Sequence, residues 1–251
     1  MSDQIEYAGF ELSEFAENPE PRVPCVLLLD TSGSMSTVVG DSGEAARNSV
    51  AQDGILYKTP PRVATRIDSL NEGLVTFKET LAADSLASRR AEIAIVTFGG
   101  VVTIVQDFVT AQHFYPPRLD ATGSTPMGSA ILAGLDMITK RKSVYKAAGI
   151  AYYRPWVFLI TDGDPDPGDP WMAAAEKVKQ GEASKSLAFF TVGVEGANMN
   201  VLSQIALRQP VKLKGVNFRE MFLWLSQSMQ AVSQSSPNDQ VPLSPPGWAE
   251  V

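Results

Sequence analysis

The sequence predicts a doubly wound α/β fold: a mostly parallel central sheet of about six strands, one antiparallel strand at its edge, and helices on both faces. Three observations predict it. Unbroken apolar runs at residues 26–29 (VLLL), 155–161 (PWVFLIT) and 187–194 (LAFFTVGV) have the composition of strands buried on both faces. Segments with apolar residues at three- and four-residue steps alternate with these runs, as amphipathic helices between parallel strands require. Two β-branched runs, residues 92–98 and 101–108, are separated only by Gly99-Gly100, a hairpin signal that turns one of them antiparallel at the sheet edge.

Taken in order, residues 1–21 form an acidic arm that ends in Asn18-Pro19-Glu20-Pro21 and carries Phe10, Leu12 and Phe15 as residues able to pack on the domain. The main domain spans residues 22–233. Its first strand stops at Asp30, and Thr31, Ser32, Gly33, Ser34 and Met35 turn the chain. Residues 37–61 are an insertion near that turn, polar, Gly-rich and closed by Pro60-Pro61, longer than the connections compact domains usually carry. Its composition reads as a mobile surface loop; the alternative is a flap that offers Asp41, Glu44 or Asp53 to the turn. Val63, Ile67, Leu70, Leu74, Phe77 and Leu81 then share one helical face.

After the hairpin, residues 110–120 are a connector holding the single histidine, His113. Met127, Ile131, Leu135 and Ile138 mark a second helix ending near Arg141-Lys142, followed by a linker over 143–153. Asp169-Pro170 reads as the start of a third helix, Asp as N-cap and Pro at the first helical position. Leu202 and Ile205 mark a short helix, and residues 211–213 a last edge strand. Phe218, Met221, Phe222, Leu225 and Met229 mark a final helix. Residues 234–251 are a Pro/Ser-rich tail expected to be disordered, since that composition builds no core.

Bulk properties exclude some functions. A net charge of −7 argues against nucleic acid or an anionic membrane as partner, because both need a basic face. The one cysteine, Cys25, lies inside the first apolar strand, which suits a buried thiol in a reducing compartment and leaves no disulfide framework. The segment MSDQIEYAGFELSEF has neither the basic nor the apolar stretch of a signal peptide, and no apolar run approaches the roughly 20 residues of a membrane span. The chain reads as cytoplasmic.

The chemistry concentrates at the end of the first strand. Asp30, Ser32 and Ser34 place a carboxylate and two hydroxyls at alternate positions, hard oxygen donors that suit Mg²⁺ or Ca²⁺ and not zinc or copper. Thr125 in ATGSTPMG precedes a helix, and Asp162 in VFLITDGDPDP follows a buried-type strand. Each piece has an ordinary structural reading: Thr125-Pro126 as a helix start, residues 31–34 as a polar turn, Asp162-Gly163 as a turn dipeptide. Together, and in this order, Asp30-x-Ser32-x-Ser34, Thr125 and Asp162 resemble the metal-ion-dependent adhesion site of von Willebrand factor A domains, whose fold is Rossmann-like and doubly wound. The phrases YYRPWVFLITDGDPDP and GSTPMGSAI are most similar to the bacterial tellurium-resistance-associated (TerY-like) branch, and the resemblance covers residues 20–233.

That resemblance implies a metal set of Asp30, Ser32, Ser34, Thr125 and Asp162, with Ser32 and Ser34 as direct ligands and Thr125 direct or through water. It implies Mg²⁺ as the first cation, Mn²⁺ or Ca²⁺ as substitutes, and an open coordination position for an Asp or Glu of a partner protein. It also implies a non-enzymatic interaction module in a tellurite or chemical-stress system, alongside a protein kinase and a phosphatase. Two other readings stay open: a metal-sensing or metal-chelating subunit of the same system, and a hydrolase using the cation as Lewis acid, which lacks a candidate base.

Other enzyme signatures are missing. There is no G-x-x-x-x-G-K-[ST] phosphate loop, no G-x-S-x-G elbow, and no second aspartate two residues after Asp30 as an aspartyl-phosphatase would carry. His113 reads as a surface or turn residue and Cys25 as core. From Asp162 the loop begins like an EF-hand, with Asp164 and Asp166, but puts Pro167 where glycine is required and Ala173 where the bidentate Glu belongs. Asp164, Asp166 and Asp169 are therefore read as a solvated acidic turn ending in a helix cap.

Overall fold

The computed structural model describes residues 15–39, 49–52, 55–58, 64–237 and 239–250. Its centre is a seven-stranded sheet built from β1 (Val23–Asp30), β4 (Ala91–Gly99), β5 (Val101–Thr110), β6 (Trp156–Thr161), β7 (Ala188–Gly193), β8 (Val211–Leu213) and β9 (Ala249–Glu250). The spatial order is β5-β4-β1-β6-β7-β8-β9. The strands from β4 to β8 run parallel, while β5 and β9 are antiparallel at the two edges. The expected single antiparallel edge is thus doubled, because the C-terminal segment adds a strand beyond β8.

The apolar runs are explained by burial. Every residue of β1 is buried, and alternate side chains serve opposite faces: Cys25, Leu27 and Leu29 join one core, Val26 and Leu28 the other. The first core is covered by α1 (Arg66–Ala83) and by α6 (Phe218–Ser233). The second is covered by α3 (Met127–Ala148), α4 (Trp171–Ala183) and α5 (Met199–Ile205). A short helix, α2 (Ala87–Arg90), leads into β4. Edge strand β5 is largely exposed, with Val101 and Ile104 in solvent.

Four boundaries differ from expectation. Helix α3 does not end at Arg141-Lys142; it continues to Ala148 and stops at Gly149, which adopts a left-handed conformation (φ 68°). The reason is a buried ionic cluster at the foot of the sheet. Glu92 accepts from Arg22 Nε, Arg141 Nε and Arg141 Nη2, each at 2.8 Å, and from the Tyr145 hydroxyl. Phe15 stacks its ring 5.2 Å from the Arg22 guanidinium and 5.1 Å from that of Arg141. Arg141 and Tyr145 are held inward, so the helix carries on past the basic pair that reads as its end.

The tail is the second correction: among its described residues, 234–237 and 239–250, the end docks on the core where disorder was expected. Trp248 is 5% exposed and meets Trp224 edge-on at 5.7 Å, Trp224 Nε1 donates to the Ser244 carbonyl at 2.8 Å, and Leu213 pairs with Ala249. Average composition predicts a segment without a core of its own, but one buried tryptophan suffices to dock it on a core already built. Third, β8 is consequently not the last strand. Fourth, the 37–61 insertion contains an antiparallel hairpin of β2 (Ser49–Gln52) and β3 (Ile55–Lys58), where only loop was expected. Its neck is closed by backbone pairing: Val38 bridges Thr65, Val39 N donates to the Ala64 carbonyl at 2.9 Å, and Arg66 N donates to the Thr37 carbonyl at 3.1 Å. Val63, Phe10, Leu12 and the closing prolines lie outside the described residues, as do Asp41, Glu44 and Asp53.

Candidate metal centre

Strands β1 and β6 are parallel neighbours with Leu29 opposite Ile160, so Asp30 leaves the sheet level with Thr161 and Asp162 follows one residue further on. From β1 the chain crosses to β4 by way of α1 on one face, while α3 on the other face leads into β6. The crevice beyond β1 is therefore the point where strand order reverses, the usual ligand position in open α/β sheets.

The turn after β1 is locked into that crevice by its neighbours' backbones. Thr31 N donates to the Phe98 carbonyl at 3.0 Å, Thr122 N to the Thr31 carbonyl at 2.7 Å, and Gly33 N to the Gly123 carbonyl at 2.9 Å. This packing is possible only with glycine. A Cβ on Gly99 would lie 2.4 Å from the Thr31 carbonyl oxygen. One on Gly123, where φ is +78°, would lie 2.5 Å from Gly100 N. The hairpin glycines thus also clear space for the Asp30 turn.

Four of the five expected donors fall into one hydrogen-bonded group. Asp30 is fully buried; its Oδ1 accepts from Ser32 N at 2.8 Å and its Oδ2 from the Thr161 hydroxyl at 2.5 Å. Ser32 Oγ and Ser34 Oγ are 3.0 Å apart, and Ser34 Oγ donates to Asp162 Oδ1 at 2.5 Å. Thr125 is also buried and borders the same space: a Cβ built on Gly163 would lie 3.4 Å from Thr125 Oγ1 and 3.9 Å from Asp30 Oδ2. Burial pushes the Asp30 carboxyl above the usual carboxylate range; hydrogen bonds from Ser32 and Thr161 partly offset this, and the neighbouring Asp162 charge adds to it.

A cation already faces this group. Arg66 Nη1 donates to Asp162 Oδ2 at 2.6 Å, and the arginine side chain is 13% exposed. Arg66 is the first residue of α1, fixed by a capping box in which Thr65 Oγ1 accepts from Asp68 N while Asp68 Oδ2 accepts from Thr65 N. Sequence reasoning missed it. The Thr65-x-x-Asp68 pattern locates the helix start, yet nothing local shows that the next side chain reaches a carboxylate 96 positions away.

The acidic loop after Asp162 has a different task from the one expected. Asp169 does not cap its own helix; α4 begins at Trp171 without a side-chain cap. Instead Asp169 Oδ1 accepts from Ser129 N at 3.1 Å and Ser129 Oγ at 2.9 Å, and its Oδ2 from Gly128 N at 2.5 Å, capping the start of α3. Asp166 Oδ1 accepts from Thr125 N at 2.9 Å, and Asp166 N donates to the Thr125 carbonyl at 3.0 Å. Asp166 and Asp169 therefore hold the Thr125 loop in place, and Thr125 itself caps no helix, since Pro126 occupies the position before Met127. Asp164 is exposed. His113 is exposed, its Nδ1 3.0 Å from Thr110 Oγ1, and Cys25 is buried within β1 with its thiol pushed up by burial.

This donor set fits a hard divalent cation. It offers two carboxylates and three hydroxyls, with no sulfur or imidazole, around a desolvated carboxylate and a space left by Gly163. Among the described residues, no group of three or more His, Cys, Asp and Glu side chains is placed to hold a metal.

Comparison with known proteins agrees with the topology. The PilB minor pilin from Streptococcus sanguinis superposes with a TM-score of 0.54 at 13% identity, covering 84% of this chain and 62% of that one. Proximal thread matrix protein 1 from the mussel byssus gives 0.51 at 15% identity, covering 84% of this chain and 48% of that one. The conserved hypothetical protein BatB from Bacteroides thetaiotaomicron gives 0.50 at 17% identity, covering 85% and 100%. The chain spans about half the length of the byssus protein. A search of curated proteins by sequence gives no match. At these identities the solved structures share the fold alone. The sequence itself matches the von Willebrand factor type A domain over residues 25–221, from the middle of β1 into α6. With that match spanning most of the chain, the protein belongs to the von Willebrand factor type A domain family.

Proposed function

We propose that this chain is a divalent-metal-dependent protein-interaction module. Asp30, Ser32, Ser34, Thr125 and Asp162 would hold the cation, Mg²⁺ in the first instance, and an Asp or Glu of a partner protein would complete its coordination. Family members with a metal-ion-dependent adhesion site mediate metal-dependent protein interactions and bind divalent metals there. The observation that carries the reading here is the desolvated Asp30 carboxylate beneath a rim of hydroxyls and Asp162. A buried carboxylate next to a second one is unfavourable unless positive charge compensates it. A cation held mainly by neutral hydroxyls stays electrophilic, which suits capture of an external carboxylate.

The residues in the crevice do not favour a hydrolase. Asp30 is tied to Ser32 N and the Thr161 hydroxyl, and Asp162 to Ser34 and Arg66, so neither is a free proton acceptor. His113 and Cys25 lie on the connector after β5 and inside β1. We therefore infer a binding protein and not an enzyme. The TerY-like phrases around Asp162 support a finer setting, a cytoplasmic tellurite or chemical-stress system in which the partner belongs with a kinase and a phosphatase.

The test is affinity capture on immobilised protein in Mg²⁺ and in chelator, with each captured partner re-made and its acidic residues substituted. The expected result is a partner retained only with Mg²⁺, lost with Asp30→Ala, and lost when one of its own Asp or Glu residues is neutralised. Equal retention in both buffers would place the interaction elsewhere on the surface.

A further inference from the structure

We propose that Arg66 is a built-in counter-charge of the site, one that weakens cation binding and strengthens the binding of a carboxylate once the cation is present. The inference rests on the metal-dependent reading above and specifies how this chain departs from a site made of oxygen donors alone.

Three observations carry it. The guanidinium reaches Asp162 Oδ2 at 2.6 Å while Ser34 Oγ holds the other oxygen at 2.5 Å, so both Asp162 oxygens are occupied by donors. Arg66 is anchored at its backbone: it donates to the Thr37 carbonyl, opens α1, and sits between the two halves of the Thr65–Asp68 capping box. Its side chain is 13% exposed, and the guanidinium lies against Gly196, where an added Cβ would be 4.0 Å from both terminal nitrogens. This is a placed charge at the rim, not a long side chain sweeping through solvent.

Charge decides what it does. Asp30 and Asp162 carry two negative charges and Arg66 one positive, so the group stands at −1. A divalent cation brings it to +1. Against the same two aspartates with a neutral residue at position 66, the cation meets one less net negative charge and binds more weakly. The loaded site then presents a net positive charge to an incoming anion and binds it more strongly, at a separation well inside the screening length. One arginine thus shifts the site from cation retention toward dependence on an acidic ligand.

The two effects have opposite signs, which separates this role from a strut. Mn²⁺ would be titrated into the full-length wild type, Arg66→Met, Arg66→Gln and Arg66→Lys, with free Mn²⁺ read by electron paramagnetic resonance. Acetate would then be titrated into each Mn²⁺-loaded protein and followed by water-proton relaxation. We expect Arg66→Met to bind Mn²⁺ about tenfold tighter than wild type and acetate several-fold weaker, with Arg66→Lys near wild type in both, since a tenfold change needs only a modest charge interaction. Circular dichroism establishes that the variants fold, and Arg66→Gln, neutral and able to donate to Asp162, keeps the test decisive if the methionine variant does not. In that case, Mn²⁺ binding that is unchanged or weaker, or acetate binding that is unchanged or stronger, in Arg66→Gln overturns the proposal. Measurable Mn²⁺ binding that is unchanged or weaker in Arg66→Met overturns this inference alone. Absence of Mn²⁺ binding in every protein overturns the metal-dependent reading and this inference together.

Discussion

Asp30 is the residue on which the site's energetics turn. Its carboxylate is fully buried, and burial raises its affinity for a proton in the folded state above that of an unfolded-chain carboxyl near pH 4. The sign follows from linkage. Between the unfolded and the raised folded values the folded state holds more protons, so this group's contribution is fully present below the unfolded value and is lost as pH rises through the folded one. Two outcomes are expected. In metal-free protein, Asp30→Asn raises Tm at neutral pH, because an amide accepts from Ser32 N and faces the Thr161 hydroxyl without a buried charge. A gain of about 1 kcal/mol reads as about 2–4 °C in a domain of this size. In wild type, Mg²⁺ affinity falls as pH drops through the raised Asp30 value, since proton and cation compete for one carboxylate. Differential scanning calorimetry of the two proteins across pH 4–8, with and without Mg²⁺, checks both; a variant that melts lower than wild type in chelator would contradict the first.

At the scale of elements, what the sequence makes legible is whatever a local pattern encodes. Asp30 ends a strand with Ser32 and Ser34 in the turn after it, Thr125 precedes a helix and Asp162 follows a strand, as their local patterns indicate. Contacts between distant elements leave no such mark. Asp169-Pro170 looks like a cap for its own helix, yet the carboxylate turns to Gly128 and Ser129 at the head of α3. Arg141-Lys142 looks like a helix end, yet Glu92 on β4 draws Arg141 inward and the helix continues. Arg66 escapes notice for the same reason. Asp169→Ala is expected to cost about 1–2 kcal/mol in urea unfolding, the scale of a lost helix cap. It should also weaken Mg²⁺ binding although Asp169 is no ligand, because α3 and the Thr125 loop start together; unchanged affinity would show that the loop holds its place without the cap.

For the whole molecule, the seven-stranded sheet explains why one chain carries both a deep core and a crevice of mostly buried oxygen donors at its carboxyl edge. Two helical layers bury β1 completely along its length, and its carboxyl end opens where the crossovers diverge. Fold class was legible from the alternation of buried strands with amphipathic helices; the packed tail was not, because its composition averages out one decisive side chain. Trp248→Ala is expected to destabilise the protein by about 3 kcal/mol, the low end for a buried tryptophan, since among the described residues Trp248 Nε1 has no hydrogen-bond partner to lose. Urea titration checks this, and a loss under about 1 kcal/mol would mean the tail contributes little to the fold.

Everything proposed for this chain depends on the Asp30 crevice binding a divalent cation. Isothermal titration of Mg²⁺ into the full chain, beside Asp30→Asn, tests it most directly. The expected result is binding of one cation per chain in the wild type and none in the variant, which remains folded. Equal heats in the two proteins, or no binding to either, would contradict it.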